Sequence, residues 1–316
     1  MPAPARSLDA NPSVTAVVLT YRRPRLAGDV VRTLLHEEGF PPDRIVLVVN
    51  GEGGLDDPEL EAAVRTVRLP VNIGPAGGFR AGLEAAFSDS TTAWAYLCED
   101  DVGVFDLPTP RVTPVLDRLR DQFEAGGVAR VGAVVAYGRR FDARGHAANV
   151  VPDQAAPPFV PVDVAAWGAT LLARGAIDRG VLPATEWFFG FEDFDFFLLL
   201  RAAGLRVLLD TESARAVGPV QTSAGREAAL SPHRPGDAEE PWRAYYVARN
   251  YFHLARAHGS ASWHAWHLAY SARRLQRATS NAERVATLHG LVDGVRRRWG
   301  AHPRYVRTVA ERDKST

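Results

Sequence analysis

The chain has 316 residues, 46% of them hydrophobic and 23% charged, so it can bury a sizeable core as one large domain or one domain plus an appendage, and wholesale disorder is excluded. Its longest apolar runs, such as 131–136, are too short to span a membrane, and residues 1–12 lack the apolar stretch of a secretory signal. The single cysteine, Cys98, excludes an internal disulfide. We therefore expect a cytoplasmic protein.

The balanced total charge conceals an asymmetry between two parts of the chain. Residues 241–316 contain 14 basic and 4 acidic side chains, whereas residues 1–240 contain 23 basic and 33 acidic ones. A basic tail on an acidic body indicates a polyanionic partner such as an anionic membrane surface, with a merely solvated, arginine-rich helical surface as the alternative. The tail has no zinc-finger or basic-zipper pattern, so we expect no nucleic-acid partner.

Apolar, β-branched runs alternate with segments of helical periodicity. Strands are predicted at 14–19, 44–49, 68–71, 93–98, 130–136 and 207–209, and helices at 26–36, 59–67, 76–87, 116–124, 192–203 and from Pro241 onward. An irregular loop is predicted at 142–161 and, where Gly, Pro and Ser are scattered, a mobile loop at 213–240. The alternation predicts an α/β fold whose central sheet is mostly parallel and covered on both faces.

Polar residues follow three of the predicted strands. Residues 20–23 follow the predicted strand 14–19, Asn50-Gly51 follows 44–49, and residues 99–101 follow 93–98. Ligands of parallel α/β sheets bind beyond the carboxyl ends of the strands. These positions therefore predict a binding site at one edge of the sheet.

Three acids, Glu99, Asp100 and Asp101, directly follow the predicted strand 93–98. Alternate residues of an extended segment share a face, so Glu99 and Asp101 are expected to point together while Asp100 points away. Paired carboxylates suit a hard cation, Mg²⁺ or Mn²⁺, which keeps other positions for water and phosphate oxygens. The alternative is a solvated acidic loop.

A glycine-rich turn, 71–80, leads into the third helix. Glycines allow a ligand close to the backbone, a helix N-terminus attracts phosphate, and Arg80 adds a cation. The spacing matches neither a dinucleotide fingerprint nor a P-loop. Glycines required only for tight packing are the alternative.

Acids also open the helix at residue 192, within Phe191-Glu192-Asp193-Phe194-Asp195. Acids in a first turn suit the helix dipole, so a capping role is one reading. A general base is the other, because the dipole keeps a carboxylate ionised. The chain has no HExxH metalloprotease motif and no GxSxG nucleophile elbow, which disfavours those hydrolase classes.

Family 2 inverting glycosyltransferases of the GT-A fold, especially bacterial rhamnosyl- and galactofuranosyltransferase-like members, are what this chain resembles when its segments are taken together. The matching segments are VTAVVLTYRRP, RIVLVVNG, LPVNIGPAGGFRAGL, AYLCEDDV, FFGFEDFDFFLLLRAAGLRV, WRAYYVARNYFHLAR and HGLVDGVRRRWG. Their order and spacing agree from Val14 to Gly300. The resemblance implies a GT-A catalytic domain at 1–240, with a donor half at about 14–105 and an acceptor half at about 106–240, and a basic helical region at 241–316.

The resemblance also implies roles for individual residues. Asp193 would be the acceptor-activating base, with Glu192 second. Asp101, Glu99 and His233 would hold the divalent cation, and Trp167 and Gly168 would line the acceptor side. The donor and its nucleotide would contact Thr20, Tyr21, Arg23, Asn50, Asn72, Gly74, Gly77, Gly78, Arg80, Glu99 and Asp100. Tyr245, Tyr246, Arg249 and Asn250 match a YYxxRN signature whose role the sequence does not explain.

Two positions depart from the family pattern. The acidic triplet begins with Glu99 where the family has Asp, and Val217-Gly218-Pro219 stands where a metal-binding histidine is usual. His233, in the loop that follows, is the candidate replacement. These departures bear on the metal more than on the reaction class.

The expected activity is transfer of a sugar from a UDP- or dTDP-linked donor to a sugar, lipid-linked or small-molecule acceptor. Such an activity serves synthesis of cell-envelope polysaccharide, glycolipid or a glycosylated metabolite, in the cytoplasm or at a membrane. A sugar nucleotidyltransferase on a related sheet is one alternative, although no glycine-rich loop with basic residues follows the first strand. A non-catalytic nucleotide-sugar-binding relative is the other.

Overall fold

A computed structural model describes residues 14–100, 112–123, 125–222 and 241–305. In these ranges, eight strands form the central sheet and two short strands form a separate hairpin. The strands, in chain order, are β1 Val14–Thr20, β2 Ile45–Asn50, β3 Arg65–Leu69, β4 Trp94–Glu99, β5 Val131–Val135, β6 Arg139–Phe141, β7 Ala147–Asn149, β8 Phe159–Pro161, β9 Thr170–Ala173 and β10 Arg206–Asp210.

The strand order in the central sheet is β3-β2-β1-β4-β9-β5-β10-β8. Strands β1 to β4 are mutually parallel, and β5 is parallel to β10. Strand β9 runs antiparallel between β4 and β5, and β8 is an antiparallel edge strand. The predicted α/β class with a mostly parallel central sheet is confirmed. Every residue of β1, β2 and β5 is buried, as continuous apolar strands between two layers require.

Helices cover the sheet and form the C-terminal part of the described chain. They are α1 Pro24–His36, α2 Pro58–Ala63, α3 Gly74–Phe87, α4 Val112–Gln122, α5 Ala125–Val128, α6 Arg174–Ile177, α7 Glu192–Ala202, α8 Thr211–Thr222, α9 Pro241–His258, α10 Ala261–Arg277 and α11 Asn281–Val295. Short 3-10 turns lie at Pro42–Arg44 and Pro303–Tyr305. The helical character predicted from Pro241 onward is confirmed by α9, α10 and α11.

At three places the structure has a different type of element from the one predicted. The predicted helix 59–67 ends at Ala63, and β3 begins at Arg65 because these residues pair in parallel with β2. The predicted loop 142–161 contains β7 and β8. Within the predicted loop 213–240, residues up to Thr222 belong to α8, whose start is fixed by the Asp210 carboxylate accepting the Ser213 N–H at 2.9 Å. Residues 223–240 lie outside the described part of the chain.

The C-terminal helices share the core of the body. Tyr251, Leu254 and Trp263 belong to the same apolar cluster as Val17 of β1. Helix α9 also lies very close to α11, because Gly290 and Gly294 leave no side chain between α11 and the α9 backbone carbonyls of Tyr245 and Arg249. The division at 240/241 stays a prediction. Among the described residues, no helix combines the length and the hydropathy needed to cross a bilayer.

Candidate active site

The ends of β1, β2 and β4 bring the first group of predicted site residues to one edge of the sheet. Thr20 pairs with Val49 on β2, and the preceding residue, Leu19, pairs with Glu99 on β4. Thr20, Asn50 and Glu99 are thus the last residues of three adjacent parallel strands. This is the edge at which ligands of such sheets bind.

Asp100 fixes the loop that follows β1. Its carboxylate accepts hydrogen bonds from the Thr20 hydroxyl at 2.9 Å and the Tyr21 N–H at 3.3 Å, and it forms an ion pair with Arg23 at 2.8 Å. Asp100 is 7% exposed, so its charge depends on these partners. The carboxylate therefore positions three residues that were predicted to contact the nucleotide.

Asn50 and Asn72 fix the glycine-rich turn. The Asn50 amide donates to the Gly74 carbonyl at 3.0 Å and to Asn72 Oδ1 at 3.1 Å, and Asn50 Oδ1 accepts the Ile73 N–H at 3.0 Å. Asn72 Oδ1 also accepts the Gly74 N–H at 2.9 Å. The Asn50 amide and the Asn72 amide oxygen therefore hold the start of α3 against the end of β2.

The glycines of α3 have packing roles in the structure. A Cβ at Gly77 would overlap the Ile73 side chain, and one at Gly78 would overlap Leu19 of β1. Arg80 lies one turn further along, where it bonds Glu84 at 3.0 Å and the Pro183 carbonyl at 3.5 Å. The predicted donor contacts of Gly77, Gly78 and Arg80 stay predictions, because packing and local ion pairing also account for these residues.

A tight loop directly before α7 positions the acids at the start of that helix. Gly190 and Phe191 both have positive φ, +79° and +70°, the second being unusual for a residue with a side chain. The loop touches the glycine-rich turn directly: Gly74, at φ +82°, leaves so little room that a Cβ there would overlap the Phe188 carbonyl oxygen. The structure therefore brings together the start of α3 and the segment that opens α7.

Glu192 and Asp193 lie side by side but differ in environment. Glu192 is 6% exposed, and within the described residues its Oε2 has no hydrogen-bond partner, although the Trp167 indole faces the carboxyl without reaching hydrogen-bond geometry. Burial, and then the neighbouring Asp193 charge, raise the pKa of Glu192 well above its ordinary value. Asp193 is half-buried, and burial raises its pKa as well. At Asp193 the Phe194 N–H, which donates at 2.8 Å, and the Arg139 charge partly offset that rise.

The third acid of this segment has a different partner. Asp195 Oδ1 lies 2.7 Å from Nε2 of His258, at the end of α9, and both side chains are largely buried. This pair links α7 to α9. Of the three acids, Asp193 is thus the most accessible, and the Arg139 charge favours its ionised form.

The Trp167 side chain lies next to the Glu192 carboxyl, on its core side. Its ring is 2% exposed and packs against Phe79 of α3 and Phe196 of α7, with ring centres 5.0 and 5.1 Å apart. Gly168 is also buried, and Ala169 has φ +55°. The predicted acceptor-side role of Trp167 and Gly168 stays a prediction, since the ring supports the acid pair from the core side.

The YYxxRN segment, whose role the sequence did not explain, supports the loop that precedes α7. Asn250 of α9 donates to the Phe189 carbonyl at 2.6 Å and the Gly190 carbonyl at 3.1 Å, while its Oδ1 accepts from Arg249 at 2.7 Å. Arg249 in turn donates to the Gly300 carbonyl at 2.8 Å. The segment therefore holds the two peptide groups that precede the left-handed turn into α7.

Replacing Asn250 by Ala should destabilise the protein, because it removes donors from buried carbonyls and leaves the Arg249 guanidinium without one acceptor. We expect a loss of about 1–3 kcal/mol in unfolding free energy, measured by urea denaturation. Asn281→Ala, at the exposed first residue of α11, is the matched control and should change stability by less than about 0.5 kcal/mol. Equal losses in the two variants would contradict this role for Asn250.

Two predicted metal ligands, Asp101 and His233, lie outside the described residues, and the side chains of Val217-Gly218-Pro219 are not described either. Within the described ranges, His289, Asp293 and His302 have atoms within 4.8 Å of one another. However, the buried Asp293 carboxylate already accepts the Tyr245 hydroxyl at 2.8 Å and pairs with Arg298 at 3.3 Å. We interpret this group as a polar cluster that fastens the chain after α11, not as the predicted cation site.

Beside the sheet edge, a groove of about 680 Å³ opens between the start of α1, the loop after β2, α2 and β3. Pro24, Gly53, Asp56 and Arg68 are among its lining residues. None of the predicted site residues that the structure describes lines it, although Pro24 directly follows Arg23 in the chain.

Comparison with known proteins assigns this chain to no family. No family model matches the chain, and no curated protein matches it. A crystal structure of GalNAc-T7 with UDP, GalNAc and Mn²⁺ is similar over 82% of this chain and 57% of that chain, at 12% sequence identity and a TM-score of 0.47. The chain thus corresponds to little more than half of that structure.

Proposed function

We propose that this protein is an inverting glycosyltransferase that moves a sugar from a nucleoside diphosphate to an acceptor hydroxyl. The observation that carries the proposal is the direct contact of Gly74, at the start of α3, with the carbonyl of Phe188, in the loop before α7. This contact joins the start of α3, at a polar sheet edge that would suit a nucleotide, to the loop before Glu192 and Asp193. Those two acids would suit general-base chemistry. The resemblance of the sequence to family 2 glycosyltransferases supports the same reading.

The donor would bind at the ends of β1, β2 and β4. Asp100 holds Thr20, Tyr21 and Arg23 in place, and Asn50 holds the turn that starts α3. The 14-residue helix α3 directs its N-terminal dipole at this edge, where a diphosphate would be stabilised. A divalent cation, when bound with Glu99, Asp101 and His233 as its proposed ligands, would supply further charge to the leaving diphosphate.

Asp193 is the proposed base. It takes the proton of the acceptor hydroxyl while that oxygen forms a bond to the anomeric carbon and the bond from this carbon to the diphosphate oxygen breaks. One displacement inverts the anomeric centre. Glu192 is less suited to the role, because its deeper burial favours the protonated carboxyl.

Arg139 is a positioning residue that the sequence analysis missed. Its guanidinium lowers the pKa of the Asp193 carboxyl against the effect of burial. It also lies over the Phe194 ring, 5.7 Å from the ring centre. Since a base must be ionised, Arg139 extends the active range of Asp193 toward lower pH.

Arg139→Gln should therefore move the acidic limb of the kcat/KM profile to higher pH. Without the cation the pKa of Asp193 rises further, so a higher pH is needed to ionise the base, and the rate should recover on the alkaline side. Arg140→Gln, whose side chain is exposed and bonds only the Pro161 carbonyl among its described contacts, should leave the profile in place. A limb that does not move in Arg139→Gln would refute this role.

Binding is the first test of the proposed function. The melting temperature should rise with UDP or dTDP and rise further with Mn²⁺, because a ligand that binds only the native state stabilises it. Asp100→Asn should reduce the shift, since it releases Arg23 and the loop after β1. If no nucleoside diphosphate changes the melting temperature, with or without metal, the proposal fails.

The acceptor, the sugar and the pathway belong to the proposal only as classes. The acceptor hydroxyl would be carried by a sugar, a lipid-linked molecule or a small molecule, in synthesis of cell-envelope polysaccharide, glycolipid or a glycosylated metabolite. We propose that the reaction takes place in the cytoplasm, where nucleotide-linked sugars and a reduced Cys98 would coexist.

A further inference from the structure

The outer face of α11 is an exposed row of apolar side chains. Val285, Leu288, Val292 and Val295 are 45%, 51%, 44% and 61% exposed. Their spacing of three, four and three residues places them on one stripe of the helix. Trp299, 44% exposed, follows shortly after the helix ends. Such contiguous apolar surface on a folded protein marks a contact site.

The opposite face of α11 explains why the stripe points outward. Ala286, Gly290 and Gly294 are buried against α9, where the two glycines allow the helices to approach closely. Trp299 is also held in place, because its ring stacks on His253 at 3.7 Å and meets Trp187 edge-on at 5.1 Å. The apolar row is thus presented by a rigid, well-packed helix.

Within residues 241–305, the exposed charged side chains have one sign. Residues 241–305 contain only two acids, Glu283 and Asp293, and both are buried, at 1% and 0% exposed. Glu283 pairs with Arg274, and Asp293 pairs with Arg298 and accepts the Tyr245 hydroxyl. The exposed arginines of the same range are Arg256, Arg273, Arg277, Arg284, Arg296, Arg297, Arg298 and Arg304.

We propose that this surface docks the protein on an anionic lipid bilayer. The cationic amphipathic face comprises the stripe Val285, Leu288, Val292, Val295, together with Trp299 and Arg296 to Arg298. An apolar row flanked by arginines and an indole suits the boundary between headgroups and acyl chains, and anionic headgroups complement the arginines. The proposal concerns a partner and does not depend on sugar transfer.

Two other occupants fit the same surface less well. A second copy packed stripe to stripe would bring arginines of both chains together, with no exposed carboxylate within residues 241–305 to pair with them. A nucleic acid would use the arginines but would gain little from a row of exposed valine and leucine side chains. Lipid satisfies both the charge and the apolar row.

The test is co-sedimentation of the full chain with vesicles of phosphatidylcholine alone or with phosphatidylserine added. We expect binding only to the anionic vesicles, weakened by salt. Leu288→Gln/Val295→Gln should weaken partitioning by at least about tenfold, from the loss of apolar burial. Arg296→Gln/Arg297→Gln should weaken it by about thirtyfold, from the loss of two cation–headgroup attractions. Arg298 is left in place because it pairs with the buried Asp293.

The control is Arg130→Gln/Val151→Gln, which alters one exposed cation and one exposed apolar residue outside the C-terminal helices and should bind as the unaltered chain does. Melting temperatures establish that all variants are folded. The proposal is overturned if neither vesicle binds the unaltered chain, or if both test variants bind normally. It is also overturned if light scattering shows a dimer that Leu288→Gln/Val295→Gln dissociates, or if RNA binds and only the arginine variant loses it.

Discussion

Asp193→Asn should abolish most sugar transfer while the protein stays folded and still binds nucleoside diphosphate. The amide cannot accept the acceptor proton, and general-base assistance contributes about 10²–10⁴-fold to a rate. We therefore expect kcat to fall by that factor, with the donor KM changed little. Initial rates of nucleoside diphosphate release, together with the melting temperature, provide the measurement.

Glu192→Gln is the matched comparison for this variant. Burial already favours the neutral carboxyl at Glu192, and Gln resembles that form in shape and charge. We expect a much smaller loss of activity than in Asp193→Asn. If Glu192→Gln removed transfer while Asp193→Asn retained it, the roles of the two acids would have to be exchanged.

Gly74→Ala should be among the most destabilising single substitutions in this chain. The backbone there has φ +82°, and the added methyl group would meet the Phe188 carbonyl oxygen, which is backbone and cannot rotate away. We expect a loss of several kcal/mol in unfolding free energy, or failure to fold. Transfer activity should be lost as well, because the same contact joins the start of α3 to the loop that precedes α7.

Gly204→Ala separates backbone strain from steric overlap. Gly204 has a similar φ, +77°, but no atom of the residues that the structure describes lies within 4 Å of an added Cβ. It should cost only about 1–2 kcal/mol, the penalty of the left-handed conformation alone. Denaturant unfolding of both variants gives the comparison, and equal losses would show that the Gly74–Phe188 contact is not as tight as described.

The buried strands and the sheet edge could be predicted from the sequence because their signals are local. An uninterrupted β-branched run such as that of β1 is buried wherever a parallel sheet forms, and the polar residues after it, such as Thr20 and Asn50, must then lie at one edge. The acids at the start of α7 were found for a similar reason, since the helix follows from its own residues.

Features that depend on tertiary contacts could not be predicted from the sequence. Residues 65–67 continue a helical pattern, yet they pair with β2, and backbone pairing overrides local propensity. Arg139 approaches Asp193 only because a hairpin, β6 and β7, forms in a stretch with little strand pattern. Asn250 reaches the Gly190 carbonyl across 60 residues of chain, and nothing in local spacing indicates that contact.

The central claim is that one site, at the sheet edge and the start of α7, transfers sugar from a nucleoside diphosphate. It is tested most directly by phosphorus NMR and mass spectrometry of the products formed from UDP-, dTDP- and GDP-linked sugars with Mn²⁺ and a panel of hydroxyl acceptors. We predict a free nucleoside diphosphate and a glycosylated acceptor with inverted anomeric configuration, both lost in Asp193→Asn. Pyrophosphate formed from a sugar phosphate and a nucleoside triphosphate, or transfer that persists undiminished in Asp193→Asn, would contradict the claim.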